Sequence, residues 1–278
     1  MNIFKKFLAS LKKPTPVDAQ PNPSTGEFVQ PQAPSEADTD TDAARQAVFE
    51  ATHDCLDRHW QAIGAVEQDV LTYLISPSFS GGVPWPSTRQ AYQIVRRDNS
   101  IILATQGLSA PFDDAEDMGN GFELELFIET ADIPEHAMGQ PGNVDPFRGS
   151  WTFELLEHVA KTVAGAGGIM HQLEQYGALS LELPGFSQSH LMSDQVPAHF
   201  VTDDDATGVL LGGPQPDFPI HVDGMPLSPV SLVPVVLITG SELEYVRTGG
   251  RQAREDLIQR LNAAGVGHRS TLRRDSVI

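Results

Sequence analysis

The clearest alternating pattern in the chain lies in residues 121–128, which read GFELELFI. Large apolar residues occupy every second position and alternate with Glu123 and Glu125. Successive side chains of an extended strand point to opposite faces, so one face of this segment is apolar and the other is acidic. The pattern predicts a half-buried β-strand.

A helical pattern follows after a long connection rich in proline and glycine. In residues 151–163 the apolar positions recur at intervals of three and four, with charged residues between them. The apolar positions are Phe153, Leu156, Val159, Ala160 and Val163. This spacing predicts an amphipathic helix that covers a sheet.

Weaker patterns predict the other elements. Residues 65–76 fit a strand or a helix. Ser241 has the chemistry of a helix cap, the mainly apolar run 230–238 predicts a strand, and Pro234 predicts a bulge or an edge position within it. The remaining predicted strands are 92–97 and 101–105, joined as a hairpin, 179–183, 218–222 and the end of the 268–278 tail; the remaining predicted helices are 43–57 and 252–261.

Many strands with few helices predict an α+β fold. We expect a core of mixed or antiparallel β-sheet with covering helices, arranged as one body or as two lobes. Residues 1–13 form a basic amphipathic segment, and residues 14–42, rich in Pro, Gln, Ser and Asp, predict a disordered linker. The folded domain is expected to span residues 43–278.

The net charge of −19 is distributed unevenly. Residues 1–13 hold four of the 18 basic residues and no acidic residue, so the remainder carries 14 basic residues against 37 acidic ones, a net charge of −23. Such a field repels nucleic acid and favours a cationic partner. The alternative is that the charge only maintains solubility.

The first 13 residues do not resemble a secretory signal, because Lys5 and Lys6 interrupt the apolar run that export requires. A terminal helix is the simpler interpretation. The alternative is weak binding to an anionic membrane surface, which would make the protein a membrane-associated adaptor.

Residue chemistry argues against an enzyme. Cys55 is the only cysteine, so the chain has no internal disulfide and no thiolate zinc cluster, and we expect a reducing, cytoplasmic location. Cys55 follows His53 and Asp54, but it falls on the apolar side of its predicted helix and is expected to be a buried structural thiol. The run Asp203–Asp205 lacks the alternation of a calcium loop. We therefore predict no catalytic, cofactor or metal site, and we retain an uncharacterised hydrolase using His and Asp residues as the alternative.

The order of several segments resembles the suppressor of fused family. These segments are Gly107–Ser109 with the acidic loop after it, GFELEL at 121–126, WTFELL at 151–156, residues 226–238, TGSELE at 239–244, the Asp256–Ile258 helix and TLRR at 271–274. The resemblance covers roughly residues 48–278. No single segment is diagnostic, because a pattern such as FELEL is only an alternating strand, and the proline-rich leader and residues 140–149 depart from the family pattern.

The resemblance implies a non-enzymatic, protein-binding module. Animal members hold a short peptide in a cleft between two lobes by strand addition, in which main-chain hydrogen bonds provide affinity. Bacterial members resemble immunity proteins that neutralise toxins, often nucleases. The chain is more similar to the bacterial type, and its acidic character suits a basic toxin.

Contact residues for such a partner are expected among exposed aromatic and arginine side chains, which dominate interface energetics. Trp85, between two prolines, is the first candidate, and Trp151 fits an interface or the core equally well. The other candidates are Tyr92, Arg96, Arg148, Tyr245 and the acidic turn formed by Asp113, Asp114, Glu116 and Asp117.

Overall fold

The computed structural model describes residues 36–112, 119–215 and 217–278, with side chains from Asp42 onward. Residues Asp40–Ile278 form one compact unit. The predictions for residues 1–13, for most of the 14–42 linker and for the acidic turn at 113–117 lie outside the described residues.

The described residues form five α-helices and nine strands. The helices are α1 (Glu36–Ile63), α2 (Trp151–Gly165), α3 (Met170–Tyr176), α4 (His190–Gln195) and α5 (Gly240–Ala263). The strands are β1 (Ala65–Val66), β2 (Leu71–Thr72), β3 (Ala91–Arg96), β4 (Ile101–Gln106), β5 (Leu124–Thr130), β6 (Leu179–Pro184), β7 (Ala206–Leu211), β8 (His221–Val222) and β9 (Val230–Ile238).

One mixed sheet organises the fold, and the predicted α+β class is confirmed. Its strand order is β1-β3-β4-β5-β9-β7-β6, with β2 beside β3 and β8 beside β9. The β3–β4 hairpin, which the sequence predicted, pairs Ile94 with Leu103. Only β5 and β9 run parallel, with Leu126 opposite Val233.

Strand β9 joins the two halves of the sheet. Its residues Ser231–Pro234 pair with β5, and Val235–Ile238 pair with β7. The edge prediction for Pro234 was wrong, because this proline lies in a central strand, at the point where the pairing of β9 passes from β5 to β7. The bulge alternative stays a prediction. The two lobes that the sequence allowed are not separate bodies here, since both halves share β9.

Strand β5 departs from the half-buried prediction. All seven of its residues are buried. Leu124, Leu126 and Ile128 belong to the main core, while Phe127 packs on the opposite face against Trp60 and Phe218. The acidic face can be buried because hydrogen bonds satisfy the carboxylates of Glu125 and Glu129.

Helix α2 matches its prediction, and Ser150 caps it by accepting a hydrogen bond from the Phe153 amide at 3.2 Å. Other helix predictions needed correction. Helix α1 extends beyond both ends of the predicted 43–57, and α5 is capped by Thr239 rather than by Ser241.

The chain's C-terminal tail also differs from its prediction. Residues 270–278 form no strand and instead lie against the sheet through side-chain contacts, and Arg269 makes an isolated bridge to Glu129. Among the described residues, no helix has the length and apolar character needed to cross a membrane.

Candidate partner-binding edge

Strand β6 forms an open edge of the sheet. It pairs with β7 along its whole length, from Leu179 opposite Leu211 to Pro184 opposite Ala206. No strand of the described part of the chain pairs with its other side. An open edge presents unpaired main-chain donors and acceptors, so it can accept a further strand.

The two faces of β6 differ in chemistry. Leu179, Leu181 and Leu183 point to the main core beneath α2. Ser180 and Glu182 point to the opposite face, where α5 lies, because strand side chains alternate. A strand added to this edge would alternate its own side chains between the same two environments.

The α5 side of the edge is acidic. Arg247 of α5 donates from Nε to Glu182 at 2.8 Å and from Nη1 to Asp204 at 3.1 Å, and it also pairs with Glu244. Three carboxylates therefore surround one guanidinium. All three remain between 42% and 63% exposed, so they can attract a cationic group. Hydrogen bonds from Thr202 and Arg247 lower the pKa of Asp204, which keeps this carboxylate ionised.

The α2 side of the edge holds a cleft of about 270 Å³. Apolar side chains supply much of its wall, and Glu154 and His158 of α2 add polar groups. The apolar lining residues are Leu155, Leu183, Phe186 and Met192. A cleft of this size accepts one apolar side chain next to the open main chain of β6.

The structure places the predicted aromatic contacts in the core. Trp85, Tyr92 and Trp151 are 6%, 0% and 0% exposed. The Trp85 and Tyr92 rings pack edge to face, with centroids 5.7 Å apart. The expected exposure of Trp85 and Tyr92 was wrong, because the proline-rich loop folds back on the sheet, where the Ser87 amide bonds the Gly107 carbonyl at 3.2 Å. Trp151 lies in the core, which is one of the two locations that the sequence allowed for a residue at the start of α2.

The predicted arginines hold surface segments together. Arg96 pairs with Glu67, and its guanidinium lies 5.4 Å from the Phe147 ring centroid. Arg148 donates to the carbonyl of Thr72. Arg96 lies opposite Ala65 of β1 and Arg148 contacts β2, so both are far along the strand order from β6.

Tyr245 is the one described candidate on α5, the helix that carries Arg247. Its hydroxyl donates to Asp256 at 2.8 Å, which raises the pKa of Tyr245. The structure thus places Trp85, Tyr92, Arg96 and Arg148 around β1, β2 and β3. Trp151 is buried beside Asp132 and Gln195, and Tyr245 lies apart on α5. Their role in partner binding stays a prediction.

The other side chains that were weighed as reactive or metal-binding groups contact structural partners. Cys55 is buried, as predicted, and its Sγ lies 3.1 Å from the Gly224 carbonyl. Within the described ranges, no group of three or more His, Cys, Asp and Glu residues could hold a metal ion. Glu125, Glu129 and Glu242 are buried at separate places, each held by its own set of donors.

The family model of the suppressor of fused protein (SUFU) matches residues 89–275. The chain belongs to the suppressor of fused family. The match contains β3 to β9 and α5, and therefore the whole of the open edge. No curated protein and no solved structure matches the chain. Suppressor of fused proteins are regulatory proteins that bind other proteins, so membership supports a protein-binding, non-enzymatic module.

Sequence reasoning missed the β6 edge as a site, although it predicted strand 179–183. The alternation of leucine with Ser180 and Glu182 was a usable signal for a strand with two different faces. The edge position of β6 could not be predicted from the sequence, because it depends on the pairing of β7, a strand that the sequence analysis did not identify.

Proposed function

We propose that this suppressor of fused protein is an inhibitor of the bacterial immunity type, which binds and neutralises one basic toxin. An extended segment of the toxin would add to the open edge of β6. The location would be the cytoplasm, consistent with the single buried thiol.

The observation that carries this proposal is the open edge with two different sides. Main-chain groups of β6 provide general affinity for an extended segment. The apolar cleft and the carboxylates around Arg247 provide selectivity for a segment in which apolar and cationic residues alternate. Natural proteins usually protect open edge strands, because an open edge also promotes aggregation.

Charge supports the choice of a basic partner. The net charge of −19 creates an attractive field for a cationic protein, and opposite potentials mainly accelerate association. A basic nuclease toxin fits this requirement because it carries a cationic surface for its own substrate.

The first test is an affinity pull-down with the full chain from its native host, at low and at high salt. We expect one stoichiometric basic protein that is lost at high salt. Expression of that protein alone should arrest growth, and co-expression of the full chain should restore it. The absence of a partner at both salt concentrations would sink the proposal.

The second test places the partner at β6. The pair Asp204→Asn and Glu244→Gln should slow association about threefold to tenfold, because it removes attraction beside the edge. Asp98→Asn with Glu135→Gln is the matched control, since it removes the same charge from exposed positions elsewhere. Phe186→Ala should mainly speed dissociation by enlarging the cleft. Equal binding by all three variants would contradict the β6 site.

A further inference from the structure

A second exposed surface lies at the opposite end of the sheet from β6. Leu74 is fully exposed, Ile75 is 66% exposed and Phe79 is 76% exposed. Seven large apolar residues of the described chain are exposed, and three of them fall within these six positions. Single exposed apolar residues are ordinary, but a cluster marks an interaction site.

The segment that carries these residues, here called the 74–79 loop, is anchored at its start and folded by local turns. Before it, Tyr73 donates to Glu157 of α2, and Arg148 donates to the Thr72 carbonyl. Within and after it, the Phe79 amide bonds the Ser76 carbonyl at 3.0 Å, and the Gly82 amide bonds the Pro77 carbonyl at 2.8 Å. The apolar side chains are therefore displayed by an ordered backbone, which reduces the entropy cost of binding.

A large groove adjoins the 74–79 loop. It has a volume of about 910 Å³ and lies between α1 and the segment that holds β1 and β2, with β3 and β4 also contributing to its lining. Thr72, which lines the groove, precedes Leu74 by two positions. The groove and the loop thus meet at the end of β2, although none of Leu74, Ile75 and Phe79 lines the groove itself.

The groove is polar and acidic. Its lining includes Asp57, Glu67 and Asp69 against the single Arg89. Glu67 is neutralised by Arg96, and Asp57 lies 3.2 Å from His53, which also lines the groove. Asp69 is exposed and Asp57 is 30% exposed, so both carboxylates remain accessible from the groove. Gln93 and Gln106 of the sheet add amide groups, so the groove suits the polar head of a lysine or arginine side chain.

We propose that the 74–79 loop and the adjoining groove form a second docking surface for a protein segment that is both apolar and cationic. The apolar residues of that segment would cover Leu74, Ile75 and Phe79, and its lysine or arginine would enter the groove towards Asp57 and Asp69. This surface is separate from β6 and does not depend on the strand-addition proposal.

Charge favours a cationic segment on this surface over a second copy of the chain or an anionic membrane. A second copy of the chain would bring another net charge of −19 to the same surface, and an anionic membrane would repel the groove carboxylates. A cationic segment is attracted by the same groups.

The test uses a phage-displayed library of random 12-residue peptides, selected on the full chain. Selected peptides are then synthesised, and their Kd is measured by fluorescence anisotropy. The loop variant is Leu74→Ser, Ile75→Ser and Phe79→Ser together. Its matched control is Tyr176→Ser, Leu227→Ser and Ile278→Ser, which removes three exposed apolar side chains elsewhere. Thermal unfolding verifies that both triple variants are folded.

We expect peptides that combine apolar residues with lysine or arginine. The loop variant should weaken their binding at least about tenfold, and Asp57→Asn with Asp69→Asn should weaken it about threefold. The control triple should change Kd less than about twofold.

Four outcomes would overturn the proposal. The selection yields no peptide, the peptides lack lysine and arginine, the loop variant binds them as well as the unmodified chain does, or their binding responds only to Asp204→Asn with Glu244→Gln at β6. Sedimentation assays test the other occupants. Self-association, or binding to vesicles of equal phosphatidylcholine and phosphatidylglycerol, that is lost only in the loop variant would assign the surface to a second copy or to a membrane instead.

Discussion

Arg274 holds both carboxylate oxygens of Glu242, with Nη1 to Oε1 and Nη2 to Oε2 each at 2.6 Å. The guanidinium side chain is 8% exposed and the carboxylate is 0% exposed. Glu242 also accepts from the Thr239 amide at 2.8 Å and from the Val277 amide at 3.0 Å. One buried carboxylate therefore completes the capping box of α5 and fastens the C-terminal tail.

Replacing Arg274 should strongly destabilise the fold. Burial alone would raise the pKa of Glu242, and the hydrogen bonds and charge of Arg274 lower it instead. Arg274→Met leaves that carboxylate buried without its cation, which typically costs about 3–5 kcal/mol. Arg273→Met is the control, because this neighbouring side chain is 87% exposed, and its pair with Asp132 contributes less than about 1 kcal/mol. Urea unfolding measures both, and equal losses would refute the difference.

Glu129 should contribute a pH-dependent part of the free energy of unfolding. Burial would raise its pKa, but hydrogen bonds from His268 and Ser100 and the charges of His268 and Arg97 lower it to about 2. The folded pKa is below the ordinary value of 4.5, so the contribution is present above pH 4.5 and is lost as the pH falls towards 2. We expect a loss on the order of 2 kcal/mol over this window.

The Glu129 prediction is checked by urea unfolding at several pH values between 2 and 6. Glu129→Gln lacks the titrating group, so its free energy of unfolding should fall less over this window than that of the unmodified protein. Parallel curves for the two proteins would show that Glu129 does not titrate as described.

Glu125 should have the opposite pH dependence. Burial raises its pKa, although Thr105, Ser109 and Gly107 donate hydrogen bonds that oppose the shift. A raised folded pKa means that stability is greatest below pH 4.5 and falls as the pH rises through the folded pKa. Glu125→Gln should therefore become more stable relative to the unmodified protein as the pH rises.

The geometry at Glu125 suits this substitution. Oε1 accepts from the amides of Gly107 and Ser109 and from the Ser109 hydroxyl, and an amide oxygen can do the same. Glu125→Leu leaves those donors buried without an acceptor, which costs about 3 kcal/mol or more. Thermal unfolding at pH 5 and pH 8 separates the two variants, and a pH-independent difference between Gln and Glu would contradict the assignment.

Two glycines should respond in opposite directions to alanine. Gly250 interrupts α5 with φ of +58° and ψ of −134°, a conformation that costs an L-residue roughly 1–3 kcal/mol. Gly165 lies in the last turn of α2, where the nearest atoms to a new Cβ are 3.9 Å away. Gly165→Ala should stabilise by about 0.5–1 kcal/mol. Thermal unfolding compares them, and stabilisation by Gly250→Ala would show that the kink is not strained.

The elements predictable from sequence were those with a repeated local pattern. Helix α2, the β3–β4 hairpin and strands β6 and β9 all have apolar periodicity or composition typical of their structure. The short α3 and α4 and the strand β7 were missed. Helices α3 and α4 span seven and six residues, too few for a helical period to be distinguished from chance. Strand β7 is buried at every position, so its sequence does not alternate between apolar and polar residues.

The candidate site was less predictable, because exposure is a property of the whole fold. Trp85 between two prolines suggested an exposed binding loop, yet its ring packs on Tyr92. Conversely, Leu74 and Phe79 are apolar residues of the types that usually form a core, and both are exposed. Local sequence specifies a side chain's chemistry, but contacts between distant segments decide whether water reaches it.

By itself, the sequence determined the α+β class, the principal helix and strands, the acidic charge and the resemblance to suppressor of fused proteins. Those features depend on composition, on periodicity and on the order of segments along the chain. Only the tertiary structure decided that the acidic face of β5 is buried, that Pro234 lies in a central strand and that β6 has an open edge. The physical reason is that strand pairing joins distant residues, as Leu126 joins Val233, and no local pattern encodes which strand becomes the neighbour of another.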